Sequence, residues 1–477
     1  MKKITLLAVA AFMVSFSSCN EDLLDQKAVN SITYDGNQTI TTEKQMQAVL
    51  DGMYSELASA DALGADVTIF GELVSDNAFI SNTNDGRFKI TNAMTWTASD
   101  TNSDFKQFDK LYDAVAMANI IINTEIEQTN AVQSMVAQAY AARGLAFYYL
   151  ASFYAENPTS GVNQEFGIPI HTGAYDPNAY YPRATVAETY AQIIADLEKG
   201  ISDANEVTEN KGYLNATAAR IALAKAYLTR GEAGDYEKAI LYADEALAAS
   251  NNLVKKDELV SYFSGSTSAE VKNQPETAFE INMSLTANPG VNRSLGSFYD
   301  PNGRKGYFMF RQGLVNLYAD TDIRKALFTQ ENAATNDDPM GYFLLKNRQV
   351  IDGNSHVGNV RVIRLTEALF IKWEAMAKLG QGPAALNELN EFSAERGGNT
   401  YSGDALTAIL TEKRIEFAGE GLRFFDLKRN NLGFDKETNI RGNAAPIAPN
   451  SKYFVFPVPS SSLNLNKLLV QYPGWTN

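Results

Sequence analysis

The segment 215–249 constrains the fold most strongly, because it carries the pattern of two short helices joined by a turn. Small, apolar and aromatic residues recur at helical spacing on both sides of Gly231. They are Ala219, Leu223, Ala224 and Tyr227 before the glycine, and Tyr236, Ala239, Ala243 and Ala246 after it. Small side chains let two helices approach closely, while a tyrosine fills the gap between them. The segment therefore predicts a pair of closely packed helices.

This helix pair matches the tetratricopeptide pattern, with three extra residues, 232–234, lengthening its turn. A weaker copy runs from Leu365 through Gly380 to Leu389. A helix predicted from about Asn130 to Tyr154 is a candidate for another pair. A few such repeats stack side by side into a small right-handed solenoid, which usually serves as a scaffold or a protein-contact surface rather than a catalyst.

Capping boxes place the starts of two further helices. Thr42 is followed three residues later by Gln45, and Thr185 by Glu188, with apolar residues at helical spacing after each pair. Another helix is predicted to start near Asp104. The helical pattern fails in two blocks, about 61–101 and about 255–360, and we expect long loops there. Long loops in a compact protein usually carry function.

The composition narrows the range of partners and cofactors. Lys plus Arg number 41 against 56 for Asp plus Glu, which gives a net charge of −15 and a pI near 4.8. Such a surface repels nucleic-acid phosphates and anionic lipid headgroups. The chain has only two histidines and one cysteine. This excludes a zinc site built on several His or Cys ligands, and it excludes any intrachain disulfide. No hydrolase, metalloprotease or phosphate-loop motif is present, so neither a cofactor nor a metal is predicted. The stretch 82–86 lacks the acidic first ligand and the closing glutamate of a calcium loop, and it predicts a turn.

The N-terminus carries a targeting pattern. Two lysines precede a mostly apolar run, Ile4–Phe16, which is too short to span a membrane of ~30 Å and is typical of a signal peptide. Small residues then precede Cys19, the only cysteine, and acidic residues follow it. This resembles a bacterial lipoprotein leader, with residues 1–18 as the signal peptide, Cys19 as the lipidated residue and residues 19–40 as an acidic tether. The alternative is an ordinary signal peptide with a cysteine nearby by chance.

Two C-terminal motifs make the chain recognisable. The segment 412–429 contains the run Glu-Gly-Leu-Arg-Phe-Phe-Asp-Leu, and the tail runs from Phe456-Pro457 to Gln471-Tyr472-Pro473-Gly474-Trp475. Both resemble hallmarks of the SusD/RagB family, the surface glycan-binding lipoproteins of Bacteroidota, and the resemblance covers nearly the whole chain. It implies an all-α fold in which tetratricopeptide-like helical repeats pack against a loop-rich ligand-binding region. The implied regions are an N-terminal one, residues 41–254, and a C-terminal one, residues 255–477.

Charged residues within the hallmark are spaced three apart: Glu420, Arg423, Asp426 and Arg429. On a single helix they would form one ladder of alternating charges. We interpret them as a partly buried ion network that pins the C-terminal segment to the repeat helices. The alternative is a ligand or catalytic site.

The two loop blocks supply candidate glycan contacts. Sugar binding needs aromatic faces for the apolar side of a pyranose ring and polar groups for its hydroxyls. The candidates are Asp76, Asn77, Arg87 and Trp96 in the first block, and Tyr299, Tyr307, Phe308 and Arg311 in the second. For Asp76 and Asn77 the alternative is a turn or cap. For Trp96, Tyr299 and Tyr307 the alternative is packing.

The family resemblance implies non-catalytic capture of extracellular oligosaccharides for a SusC-like TonB-dependent transporter. The protein would be anchored by its lipid in the outer membrane and face the cell exterior. Three alternatives stay open: a peptide or glycopeptide ligand as in RagB-type relatives, a surface glycoside hydrolase, and a scaffold whose only ligand is the transporter.

Overall fold

Helices dominate the computed structural model, which describes residues 40–100, 105–174, 176, 178–202, 209–303, 307–436 and 446–475. The predicted signal peptide, Cys19 and nearly all of the predicted tether lie outside these residues. Residues from Thr41 to the C-terminus belong to one compact unit, which includes both predicted regions on either side of residue 254.

The longer helices are α1 (Glu43–Leu57), α2 (Asp66–Leu73), α4 (Gln107–Ile122), α5 (Asn130–Tyr154), α6 (Val186–Lys199), α7 (Ala216–Arg230), α8 (Asp235–Ala249), α13 (Leu365–Lys378), α14 (Gly382–Arg396) and α15 (Ala405–Glu416). The shorter ones are α3 (Lys89–Ala93), α9 (Leu259–Ser264), α10 (Ser268–Val271), α11 (Leu295–Tyr299), α12 (Gln312–Val315), α16 (Arg423–Arg429) and α17 (Ser460–Leu465). Both predicted capping boxes are formed, at Thr42 and at Thr185. The all-α prediction is confirmed.

The repeat helices pack in chain order. Helix α5 packs between α4 and α6, α6 contacts α7, and α7 packs along α8. Helix α8 then contacts α13, and α13 packs against α14. The stack of repeat helices is therefore continuous, although a long insertion separates α8 from α13 in the sequence. Gly231, at φ +67°, ends α7 and allows the predicted turn. Both predicted tetratricopeptide-like pairs are therefore present as neighbouring helix pairs.

The two blocks expected to be long loops contain short elements. The first holds α2, whose eight residues are all buried, together with strand β1 (Ala78–Ile80) and α3. The second holds α9–α12 and the strands β2 (Thr277–Ile281), β3 (Phe308–Phe310), β4 (Phe328–Thr329), β5 (Phe343–Leu344), β6 (Val350–Ile351) and β7 (Asn354–Ser355). Both blocks are loop-rich as expected, but they also contain these short elements, most of which are too short to show a sequence period. Strand β8 (Val360–Arg364) pairs with β2 and leads into α13.

The hallmark segment lies in a buried ion network. Arg364 pairs with Glu416 and Glu420, each at 2.8 Å, and also with Glu276 at 2.7 Å. Lys346 pairs with Glu420 at 2.7 Å. Burial opposes these charges, and the neighbouring arginines nevertheless lower the pKa of Glu416 to about 2. Glu416 therefore stays ionised inside the protein.

The predicted single ladder of charges is wrong, because the hallmark does not form one helix. Helix α15 ends at Glu416, and α16 begins only at Arg423, after a turn in which Gly419 and Gly421 both have φ +79°. Within α16, Asp426 and Arg429 do pair at 2.7 Å. Arg429 also pairs with Glu374 in repeat helix α13, which confirms that the network ties the C-terminal segment to the repeats.

Helix α2 and the turn 419–421 touch through their backbones. A Cβ added to Gly71 would lie 2.0 Å from the carbonyl oxygen of Gly421, and one added to Gly421 would lie 2.7 Å from the Cα of Thr68. The Gly421 N–H donates to Glu72 Oε1 at 2.7 Å. This contact fixes the base of the first loop block against the hallmark segment, and it leaves no room for side chains at either glycine.

Candidate functional site

The structure brings the two predicted ligand-binding blocks together. Strand β1 of the first block pairs antiparallel with β3 of the second, with Ala78 opposite Phe310 and Ile80 opposite Phe308. The loop after β1 also meets the loop between β4 and β5, since the Asn82 N–H donates to the Asp337 carboxylate at 2.7 Å. We call the exposed surface formed by residues 82–90, 284–293, Tyr307 and 331–338 the loop surface.

Trp96 lies beneath the surface and not on it. Its side chain is 2% exposed and packs against Phe105, Tyr453 and Phe456, with Trp475 stacked 6.0 Å away. A ring enclosed in this way has no free face for a sugar. The structure therefore supports the alternative reason for a tryptophan here, which is packing of the core.

The second block is likewise more buried than expected. Tyr299 is 0% exposed, and its hydroxyl donates to the carbonyl of Gly419 at 3.2 Å. Phe308 packs against it with ring centroids 5.4 Å apart. Arg311 is also buried, and its Nε donates to the carbonyl of Ala78 at 3.1 Å, so it clamps the β1–β3 pair. In this conformation none of these three side chains can reach a ligand.

Asp76 and Asn77 belong to the ion network below the loop surface. Asp76 pairs with Arg423 at 2.8 Å and with Arg414 at 3.1 Å. Burial opposes its charge, and the two arginines lower the pKa of Asp76 to about 2. Asn77 is buried and donates to Glu72 at 2.8 Å. Their contacts fit a structural role in attaching the first block to the hallmark segment.

Arg87 and Tyr307 are the two predicted residues that lie on the loop surface, each partly accessible to solvent. Arg87 donates to the carbonyl of Asn292 and lies 3.4 Å from Asp85, so it joins two loops of the loop surface. Tyr307 is partly buried and packs on a cluster that includes Phe79. It adopts φ +42°, a left-handed conformation that is unusual for a bulky residue and tends to occur at functional sites.

Sequence reasoning missed several residues that shape this surface. Phe88 is also left-handed at φ +53°, and its ring packs edge-on against Phe298 at 5.5 Å. The predicted turn at 82–86 forms, with the Gly86 N–H donating to the side chain of Asn84 at 2.7 Å. Asn82 also donates to the carbonyl of Asn336. The many Asn, Asp and Gly residues in 82–86 and 331–338 are the sequence signal that could have identified these loops as part of the surface.

Glu72 has an unusual electrostatic environment beneath the site. Burial raises the pKa of Glu72 to about 7, although Asn77 and the Gly421 N–H both donate to it. A carboxyl with that pKa is what general acid catalysis requires. Its side chain is 0% exposed, however, so no substrate reaches it.

Two kinds of feature are absent from the part of the chain that the structure describes: a cluster of metal-binding side chains and a membrane-spanning helix. Within those residues no three His, Cys, Asp or Glu side chains cluster closely enough to hold a metal ion. None of the helices described is long and apolar enough to cross a membrane.

Two family models match the chain. One, SusD-like and described as starch-binding and associating with the outer membrane, matches residues 22–228. The other, the SusD family, matches residues 307–475. The first match contains β1 and the second contains β3, so each contributes one strand of the pair beneath the loop surface.

Individual relatives resemble the chain over nearly its whole length. SusD-like protein P2 of Formosa agariphila is 24% identical over 533 aligned residues, covering 99% of each chain. A SusD superfamily protein from Bacteroides vulgatus has a TM-score of 0.82 at 23% identity, covering 92% of this chain and 100% of its own. Surface glycan-binding protein A from Bacteroides uniformis has a TM-score of 0.68 at 19% identity, covering 90% and 99%. The structural similarities establish a shared fold.

Proposed function

We propose a function for the chain as a member of the SusD/RagB family, since the two family models match residues 22–228 and 307–475. On that premise we propose that it captures oligosaccharides outside the cell and delivers them to a SusC-like TonB-dependent transporter. A lipid on Cys19 would anchor it to the outer membrane, facing the exterior.

The loop surface is the observation that carries this proposal. It combines the guanidinium of Arg87, the partly buried ring of Tyr307 and amides such as Asn82 on loops attached to paired strands. Aromatic and polar groups held on a rigid base suit sugar rings and their hydroxyls. The ion pairs of Asp76 and the packing of Trp96 supply that base, so these residues support the site without touching the ligand.

A glycoside hydrolase fits the structure less well. Such an enzyme needs a proton-donating carboxylic acid and a second carboxylate on either side of the bond it cleaves. Glu72 has the pKa of an acid donor, but it is enclosed, and Asp76 next to it is held ionised by two arginines. We therefore propose binding without turnover.

The test is calorimetric titration of residues 20–477 against plant, host-mucin and microbial oligosaccharides, with peptides alongside. We expect one glycan class to bind, and Arg87→Ala and Tyr307→Ala each to weaken that binding. Tyr180→Ala, an exposed tyrosine outside the loop surface, is the matched control and should bind normally. Binding of peptides alone would favour the RagB-like alternative, and release of shortened glycans would favour the hydrolase.

A transporter-dependent site gives a different result. If no glycan binds the isolated protein, the same titration is repeated with the protein in complex with its co-purified transporter. Failure in both forms would refute glycan capture and leave the scaffold alternative.

A further inference from the structure

A cavity separate from the predicted ligand residues opens beside α1. Its volume is about 450 Å³, within the range of small-molecule sites. It is lined by α1, by the residues just before α7, by the end of β2 and by the loop 287–289. Asp51, Ser55 and Asn282 on its lining are exposed, so solvent reaches it.

Two tyrosines form a fixed corner in this cavity. The rings of Tyr54 and Tyr213 lie edge to face, with centroids 5.1 Å apart and an angle of 88° between them. The Tyr54 hydroxyl donates to Gln138 at 2.8 Å and accepts the N–H of Leu214 at 2.9 Å. Because both bonds hold the ring in place, little conformational freedom would be lost on binding. Tyr213 is only partly buried.

The polar groups beside this corner define the ligand chemistry. Asp51 is the one charged residue on the lining described, and one of its oxygens accepts from Gln47 at 2.8 Å. The other oxygen is available to accept hydrogen bonds from hydroxyl groups. The hydroxyl of Ser55 lies one helical turn further along α1. A lone carboxylate attracts hydroxyl donors and repels uronates and sulfates.

The cavity and the loop surface share one loop, since residues 287–289 belong to both. Asn288 and Pro289 line the cavity, and the same loop continues to Asn292, whose carbonyl accepts the hydrogen bond from Arg87. Arg293 then anchors the loop to Asp61 at 2.5 Å. A glycan held at the loop surface therefore lies along a segment that also forms one wall of the cavity.

From these observations we infer that the cavity is a second sugar subsite, which takes one neutral pyranose residue of the captured glycan. An aromatic wall contacts the apolar face of the ring, and Asp51 accepts hydrogen bonds from its hydroxyls. This inference rests on the proposed glycan-binding function. It adds a specificity that the loop surface alone does not supply, since the arginine there would accept an acidic sugar.

The test compares variants of residues 20–477 by calorimetry, using neutral oligosaccharides from starch, cellulose, xylan, mannan and agarose and, beside them, uronic-acid oligosaccharides. Three changes address the cavity: Tyr213→Ala removes the partly buried ring, Asp51→Asn removes the charge without changing the shape, and Ser55→Trp fills the space. Each should weaken binding of the recognised glycan by about tenfold or more. Tyr180→Ala is the control and should bind normally. Near-UV circular dichroism checks that each variant is folded.

Two negative results are distinguishable. If the glycan binds the cavity variants normally while Arg87→Ala and Tyr307→Ala lose binding, the subsite is refuted and the proposed function stands. If the unmodified protein, alone and with its transporter, binds none of the neutral or acidic glycans, the proposed function fails and the subsite fails with it. Preferred binding of uronic-acid oligosaccharides that depends on Tyr213 would overturn the assignment to a neutral sugar.

Discussion

Replacing Gly421 with alanine should destabilise the fold through two separable effects. Its φ of +79° lies in the left-handed region, which costs a residue with a Cβ about 1–2 kcal/mol. The added Cβ would also lie 2.7 Å from the Cα of Thr68, and overpacking of this kind costs about 1–3 kcal/mol. The expected loss in the free energy of unfolding is therefore about 2–5 kcal/mol.

Three other glycines separate the two effects. Gly403 has φ +85° with no atom within 4 Å of an added Cβ, so Gly403→Ala should show only the conformational cost of about 1–2 kcal/mol. Gly71 lies inside helix α2, and a Cβ added there would lie 2.0 Å from the Gly421 carbonyl oxygen. Gly71→Ala should therefore show the cost of the clash, offset by about 1 kcal/mol of improved helix propensity. Gly52 in α1 has neither problem, and Gly52→Ala should stabilise by about 0.5–1 kcal/mol.

The assay is urea unfolding followed by far-UV circular dichroism for the four single variants and the unmodified protein. We expect Gly421→Ala to lose the most stability, with Gly403→Ala and Gly71→Ala between it and the stabilised Gly52→Ala. Equal losses for Gly421→Ala and Gly403→Ala would show that the turn does not press on α2. If Gly71→Ala causes no loss of stability, the close contact between the backbones at Gly71 and Gly421 is refuted as well.

Three further predictions concern buried groups. Burial raises the pKa of Glu72 from 4.5 to about 7, so between these pH values the folded protein keeps a proton that the unfolded chain releases. The contribution of Glu72 to stability is therefore fully present below pH 4.5 and is lost as the pH rises through 7. Measured by urea unfolding and compared with Glu72→Gln, the free energy of unfolding of the unmodified protein should fall by roughly 3 kcal/mol across that interval. A difference between the two proteins that does not change with pH would contradict the raised pKa of Glu72. Arg429→Met should lower the free energy of unfolding by about 3–5 kcal/mol, because it leaves the Glu374 carboxylate buried without its ionic partner. Adding Glu374→Leu should recover most of that loss in the same urea assay. A double variant that recovers none of it would show that the broken ion pair is not the cause. Trp96→Phe should leave glycan affinity in calorimetry unchanged within about twofold, whereas a tenfold loss would mean that Trp96 contacts the ligand.

Local patterns predicted much of the helical scaffold. The capping boxes at Thr42 and Thr185 and the helix 130–154 occur where the sequence placed them, because a helix start depends on residues three or four positions apart. The tetratricopeptide-like pairs were also visible, since close packing of two adjacent helices leaves small residues at fixed spacing. Short elements such as β1 were missed, because three residues cannot display a period.

The roles of individual residues in the site were predicted less well. Aromatic and polar residues in a loop-like block fit ligand contact and core packing equally well, and the sequence of the block offers no way to choose. Trp96 is enclosed by Trp475, and Tyr299 donates to Gly419, so each is buried by a segment more than one hundred residues away. The cavity at Tyr213 went unnoticed for the same reason, because its walls come from four separate parts of the chain.

Local spacing and specific motifs were enough to predict the helical scaffold, the family and the composition of the loops. Which side chains face solvent became clear only from the packing of distant segments. Asp76 became an internal counter-ion because α15 and α16 bring Arg414 and Arg423 to it, and Arg87 stayed accessible because it lies where two loops meet. Burial depends on contacts between distant segments, and such contacts follow from how the helices and strands pack.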